Sequence, residues 1–157
     1  MILEATDKDF VALLKGVGPR GLRLVPDSAI AEPEVLQMLA DLADSVARVF
    51  TPAAWLVVQD DEVVGLVSLI APPDDGVIQI GYGIAPTRQA RGHATGAIRD
   101  LVRWARAESR ITGLRAETHV SNIASQRVLS GNDFSEQDRR HDPEDGDLIC
   151  WTAEAGA

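Results

Sequence analysis

The chain has 157 residues and a net charge of −9, with 45% hydrophobic and 25% charged residues. That composition is ordinary for one globular domain with a sizeable core, and the acidic balance argues against nucleic acid as the main partner. No apolar run is long enough to span a bilayer, so no membrane partner is expected, and Met1–Phe10 lacks the basic start of a secretory signal.

In chain order, Asp7 to about Lys15 reads as a short helix closed by a Gly-Pro break, and Gly21–Val25 as a first strand. Pro33 suits the first position of a helix. From there Val35, Leu39, Leu42, Val46 and Val49 recur at helical spacing up to Phe50. Trp55–Gln59 and Val63–Ile70 are β-rich runs around an Asp60-Asp61-Glu62 turn, and Pro72–Gly76 is a stronger turn. Val77–Ile84 follows, with Ile78, Ile80, Tyr82 and Ile84 on one face and Gly81 and Gly83 on the other. A long helix over about Gly92–Ala107 carries the apolar stripe Ala94, Ala97, Ile98, Leu101, Val102 and Ala105. Leu114–His119 reads as a strand and Asn122–Leu129 as a helix. Phe134–Arg140 and Asp147–Thr152 read as a closing strand pair. The order αβαβββαβαββ predicts a mixed α/β domain around one central sheet. Trp55, Trp104 and Trp151 read as core or interface residues.

Charge is unevenly spread. Arg88–Arg115 holds seven arginines against two acids, and the rest of the chain eight basic against twenty-two acidic residues. The head of this segment, Ile78–Thr95, is a strand, a turn and a helix start. Gly81 and Gly83 permit close backbone approach, and Pro86 ends the pairing. Unbonded N–H groups at a helix start attract anions, and Arg88 and Arg91 add charge there. A P-loop is excluded, because no Gly-Lys-Ser/Thr occurs. A dinucleotide fingerprint fails at Pro86, where its third glycine would stand.

The remaining pattern, Gln89-x-x-Gly92-x-Ala94, is similar to the Gln/Arg-x-x-Gly-x-Gly/Ala signature of the GNAT superfamily of N-acetyltransferases. Gly-Tyr-x-Ile-x-Pro precedes it and an amphipathic helix follows. A second block, Ala116–Leu129, resembles the Asn-x-x-Ser-x-Arg-Val-Leu motif of the subgroup containing ribosomal-protein N-terminal acetyltransferases. The resemblance covers about residues 77–134 and implies one GNAT-like domain over 1–157. Its fold would be α/β (α+β), with a mostly antiparallel sheet splayed between the fourth and fifth predicted strands.

The resemblance implies acetyl-CoA as cofactor. Its pantetheine arm would enter the splay beside the backbone of Ile84. Its pyrophosphate would rest on the N–H groups of Arg91, Gly92, His93, Ala94 and Thr95, with Gln89 and Ala90 beside it. Asn122 would bond the pantetheine arm, Ser125 would stand near the sulfur, and Arg127 near the nucleotide. The chain departs from the pattern at Ala90, where many members have Gly. It departs again at Leu129, where many have a Tyr that protonates the leaving thiolate; Ser125 is the substitute candidate. Asp133-Phe134 replaces the usual Gly-Phe.

The expected reaction is direct attack of a primary amine, with Ser125, Glu117 and Tyr82 as catalytic candidates. Glu117, His119 and Tyr82 (through a water) are the candidate bases. An α-amine, with a pKa of about 8, needs less help than a lysine at about 10.4, a difference of roughly 3 kcal/mol at neutral pH. The acceptor is a peptide N-terminus or a small amine, and acids in Glu32–Asp44 and Asp138–Asp147 would line its side. Cys150 in principle offers a thiol for an acyl-enzyme, but Leu148-Ile-Cys-Trp151 reads as a packed strand. With one cysteine and three histidines the chain offers no disulfide and no metal site, which suits the cytoplasm. A monomer or homodimer is expected. The alternative is a non-catalytic acyl-CoA-binding regulatory domain.

Overall fold

The computed structural model describes residues 1–156. Its elements are β1 (Ile2–Glu4), α1 (Asp7–Leu14), β2 (Arg23–Leu24), α2 (Pro33–Ala47), β3 (Ala54–Gln59), β4 (Glu62–Leu69) and β5 (Val77–Ile84). They continue with α3 (His93–Ala107), β6 (Gly113–His119), α4 (Ile123–Ser130), β7 (Ser135–Asp142) and β8 (Gly146–Glu154). The strands form one sheet in the order β1-β3-β4-β5-β6-β8-β7, and β2 joins β4. Only β5–β6 and β2–β4 are parallel. Among the described residues, no helix is long and apolar enough to cross a membrane.

β1 is an addition to the sequence reading. It is three residues long and lies on the sheet edge against β3, with Leu3 opposite Leu56. A run that short has no periodicity to read. Because of it, the predicted fourth and fifth strands are β5 and β6. Local rules account for the other joints. Thr6 and Asp9 form a capping box at α1, with Thr6 N donating to Asp9 Oδ2 at 2.8 Å. Asp60 and Asp61 both take positive φ, as a tight hairpin turn between right-twisted strands requires.

Every residue of β3 from Ala54 to Val58, and of β4 from Val63 to Leu69, is buried, so the sheet is covered on both faces there. α3 takes one face. Its Ala97, Ile98, Leu101, Val102 and Ala105 are buried, and its Trp104 packs edge-on against Trp55, ring centroids 5.0 Å apart. α1 and α2 pack together, with α2 against β4. Gly65 is needed for closeness: an added Cβ would stand 2.3 Å from the carbonyl oxygen of Gly83. This seats β4 tightly along the end of β5.

Candidate active site

β5 is paired with β4 along Ile80–Ile84, up to Gly65↔Ile84, but with β6 only as far as Ile80↔Ala116. Beyond that rung the two parallel strands part. Gln79 O accepts from Ile70 N at 2.8 Å, so the backbone groups of odd-numbered β5 residues point to β4. By alternation those of Tyr82 and Ile84 point to β6, where no partner strand remains. The gap therefore exposes unpaired backbone groups of a central strand. Ile84 O is met by the side-chain amide of Gln89, which donates at 3.0 Å.

The chain then passes through a short turn at Pro86–Arg88 into Gln89–Gly92. Ala90 and Gly92 both take left-handed backbone, φ 62° and 82°. Gly92 is the N-cap of α3 and has no side chain to consume its N–H groups. The first helical bond is from Gly96 N to Gly92 O, 3.0 Å, which leaves the amides of His93, Ala94 and Thr95 available. No acid stands in that first turn. The helix tip is thus a bare, positively polarised surface, suited to an anion. Arg91 is exposed beside it, and neither it nor Arg127 forms an ion pair among the described residues. Arg88 does not add to this charge as its position suggested. Its guanidinium is held by Glu62 (Nε–Oε1 2.7 Å) and stands 3.5 Å from Asp27, so its charge is spent on fixing the turn.

α4 forms the opposite wall. Asn122 caps it, its Oδ1 accepting from Ser125 N at 3.1 Å and its Nδ2 left free to donate. Tyr82 reaches from β5 to α4, where its hydroxyl lies 2.6 Å from Ser125 Oγ. Burial raises the Tyr82 pKa above the ordinary phenol value, against the opposing hydrogen bond from Ser125, so the phenol stays protonated at neutral pH. Leu129 is fully buried and offers the cavity nothing. The sequence reading missed Asn132, whose Nδ2 donates to Thr95 O at 3.2 Å and Val128 O at 2.9 Å, tying α4 to the first turn of α3. An Asn just past the glycine that ends α4 is the available signal.

Together these parts enclose a cavity of about 510 Å³. Of the sequence-predicted binding and acid–base residues, all except Arg91, Glu117 and His119 line it. Glu117 lies on the other face of the sheet. Its neighbours Ala116 and Thr118 are buried on the Tyr82 side, where Thr118 Oγ1 accepts from Trp151 Nε1 at 3.0 Å. Glu117 itself accepts from Arg140 (Nε–Oε2 2.5 Å, Nη2–Oε1 2.9 Å), Gln79 (3.2 Å) and the Cys150 thiol (3.3 Å). The Arg140 bonds hold its carboxyl below the usual range. His119 is exposed on the same face. Cys150 is buried, and burial, helped by its bonds to Asp138 and Glu117, pushes its thiol up to about 11.

A family model described as acetyltransferase (GNAT) domain matches residues 4–135. A Bacillus subtilis protein, described as the uncharacterized N-acetyltransferase YjdG, is 28% identical over 79 residues. That match takes in 48% of this chain and 47% of the relative, so it spans about half of that protein's length. Among solved structures, RimL, a ribosomal L7/L12 alpha-N-protein acetyltransferase in complex with coenzyme A, superposes with TM-score 0.73 at 17% identity. The match covers 98% of this chain and 92% of that one. AAC(6')-Ib in complex with ribostamycin and coenzyme A gives 0.68 at 15% identity, over 98% and 92% of the two chains. A GNAT acetyltransferase from Streptococcus pneumoniae gives 0.69 at 15%, over 99% of each. At these identities the likeness is one of fold.

Proposed function

Since the chain belongs to the GNAT acetyltransferase family, we propose that it moves an acetyl group from acetyl-CoA to a primary amine, a peptide N-terminal α-amine or a small-molecule amine. The observation that carries this reading is the end of β5–β6 pairing at Ile80↔Ala116, beside the bare tip of α3. The residues present fit the cofactor. The amides of His93–Thr95, with Arg91 and Arg127 alongside, suit its phosphates. The unpaired backbone of Tyr82 and the Ile84 N–H suit an amide-bearing arm, and Asn122 Nδ2 is a further donor.

When bound, acetyl-CoA supplies an activated acetyl thioester. The chain's own groups then have separable tasks. A backbone N–H of Tyr82 or Ile84 is a donor for negative charge developing on the carbonyl oxygen. The Ser125 hydroxyl is the proton source for the departing sulfur as the C–S bond breaks, and Tyr82, kept protonated by burial, backs it. On the opposite face Glu117 receives the amine's proton, directly or through water. Its lowered pKa makes it a weak base, which suits an α-amine better than a lysine. Holding the two reactants on either side of one gap supplies the rest by proximity.

The proposal extends to one catalytic unit over the whole chain, acting in the cytoplasm as a monomer or homodimer. A reducing compartment suits the free Cys150 thiol. One observation favours a non-catalytic acyl-CoA-binding domain instead: Leu129 presents no hydroxyl to the cavity. An acetyl-CoA-dependent thiol-release screen over peptides, polyamines and alkylamines tests the choice. Release with some amine supports the transferase. Stabilisation by acetyl-CoA with no release from any acceptor would leave the binder.

A further inference from the structure

The loop that leads into α3 has little backbone support of its own. Ala85 N donates to Val64 O and Arg88 N to Ala85 O, both at 2.8 Å, so the chain is docked on β4 as far as the Pro86–Arg88 turn. From Gln89 to Thr95, by contrast, no backbone N–H donates to a backbone carbonyl among the described residues. Within that stretch Ala90 takes φ 62°, where an alanine side chain crowds its own backbone. Left to itself, such a loop relaxes away from the shape that bares the amides of His93–Thr95.

Side chains at its entrance hold it. Arg88 grips Glu62 with two prongs, Nε–Oε1 2.7 Å and Nη2–Oε2 3.3 Å, and the two side chains are only 17% and 15% exposed. A two-pronged arginine–carboxylate pair fixes direction as well as distance, and burial protects this one from screening by salt. Glu62 is anchored in turn, because it opens β4, paired with Gln59 across the β3–β4 turn and with Arg23 of β2. The Gln89 amide adds a second hold on Ile84 O. Arg88 lines the cavity between β5, α3 and α4, whereas Glu62 does not.

We infer that Arg88 is a positioning residue: with Glu62 it keeps the Gln89–Gly92 loop in the conformation that offers the helix-tip amides to the cofactor's diphosphate, and its own charge does not bind the diphosphate. The inference rests on the acetyl-CoA reading above. It reverses the plain electrostatic expectation. Removing an acid beside an anion site should tighten binding of the anion. Here, removing Glu62 should loosen it, because the loop is released with it.

The test is the Kd for coenzyme A by calorimetry, with KM for acetyl-CoA and kcat measured on an amine that the thiol-release screen identifies. Glu62→Ala should raise Kd and KM together by about tenfold, the population lost when a strained left-handed alanine is freed, while kcat at saturation stays within about twofold. Glu62→Gln, which keeps the shape of the side chain, should move both constants in the same direction. Arg88→Gln should match Glu62→Ala, and the double variant should be no worse than either single one. Ala90→Gly added to Glu62→Ala should bring affinity back to within about threefold of wild type, because glycine takes the left-handed conformation without strain. Unchanged or tighter binding in both Glu62 variants, additive losses in the double variant, or no recovery with glycine would overturn this inference alone. Wild-type protein that binds no coenzyme A would instead sink the acetyl-CoA reading, and this one with it.

Discussion

The hydroxyls of Tyr82 and Ser125 meet at 2.6 Å, joining a splayed strand to the helix on the far side of the proposed cofactor cavity. Nothing else among the described residues offers that cavity a protonated hydroxyl pair. Ser125→Ala and Tyr82→Phe should each lower kcat by about tenfold or more, as expected when a proton donor is removed. The Kd for CoA should stay within about twofold of wild type, read by calorimetry. Turnover unchanged in both variants would assign the proton to a water.

Gly92 holds φ 82° with open space around its missing side chain. Gly92→Ala should therefore cost about 1–2 kcal/mol in backbone strain and also disturb the amides of the helix tip. Gly146, at φ 80° in the distal β7–β8 turn and equally unobstructed, is the control. Both alanine variants should lose similar stability in urea, but only Gly92→Ala should weaken CoA binding, by about tenfold. Equal affinity in the two would move the pyrophosphate elsewhere.

Ala90 sits at φ 62° in the same loop. A side chain there carries strain that glycine avoids, and glycine's extra unfolded-state entropy offsets part of the gain. Ala90→Gly should leave stability unchanged or raise it by up to about 1 kcal/mol. A fall in Tm would mean that the methyl packs against something that compensates its conformation.

Asp9 and Glu117 both have folded-state pKa values below their unfolded ones. For Asp9, burial pushes upward, but hydrogen bonds from Arg20 and Thr6 prevail. For Glu117, the Arg140 bonds dominate. A depressed carboxylate contributes stability that is complete above the unfolded values, about 3.9 and 4.3. That stability is lost as pH falls from there through the folded values. Urea midpoints should hold steady near neutrality and drop below about pH 4. Asp9→Asn and Glu117→Gln should each be less stable at pH 7 and show a shallower acid decline. An acid slope identical to wild type in both would show that other groups drive it.

With its thiol pushed up to about 11, Cys150 has a thiolate fraction near 10⁻³ at pH 8, on the order of that for an inert buried cysteine. Iodoacetamide should label the native protein at least about a hundredfold more slowly than the urea-unfolded chain, followed by mass spectrometry. Cys150→Ala should keep turnover within about threefold. Rapid native labelling together with lost turnover would revive an acyl-enzyme route.

Much of the local backbone around the cavity between β5, α3 and α4 was legible in the sequence because it is written locally. The glycines of β5, the break at Pro86, the left-handed Gly92 and the capping Asn122 all act on backbone within a few residues of themselves. The apolar stripe of α3 follows from the 3.6-residue period alone. β1 was not legible, because its three residues are held by β3 rather than by any pattern of their own.

Tertiary structure decided the charges and the partners. Arg88 looked like part of an anion site, yet it pairs with Glu62, 26 residues away, and approaches Asp27, 61 residues away. Glu117 and Tyr82 were grouped as catalytic, and the register sets them on opposite faces of the sheet. Tyr82 and Ser125 meet across 43 residues. Backbone preference and periodicity are properties of neighbours along the chain. Which side chains meet depends on strand register and sheet face, and one residue of slip would have exchanged every partner.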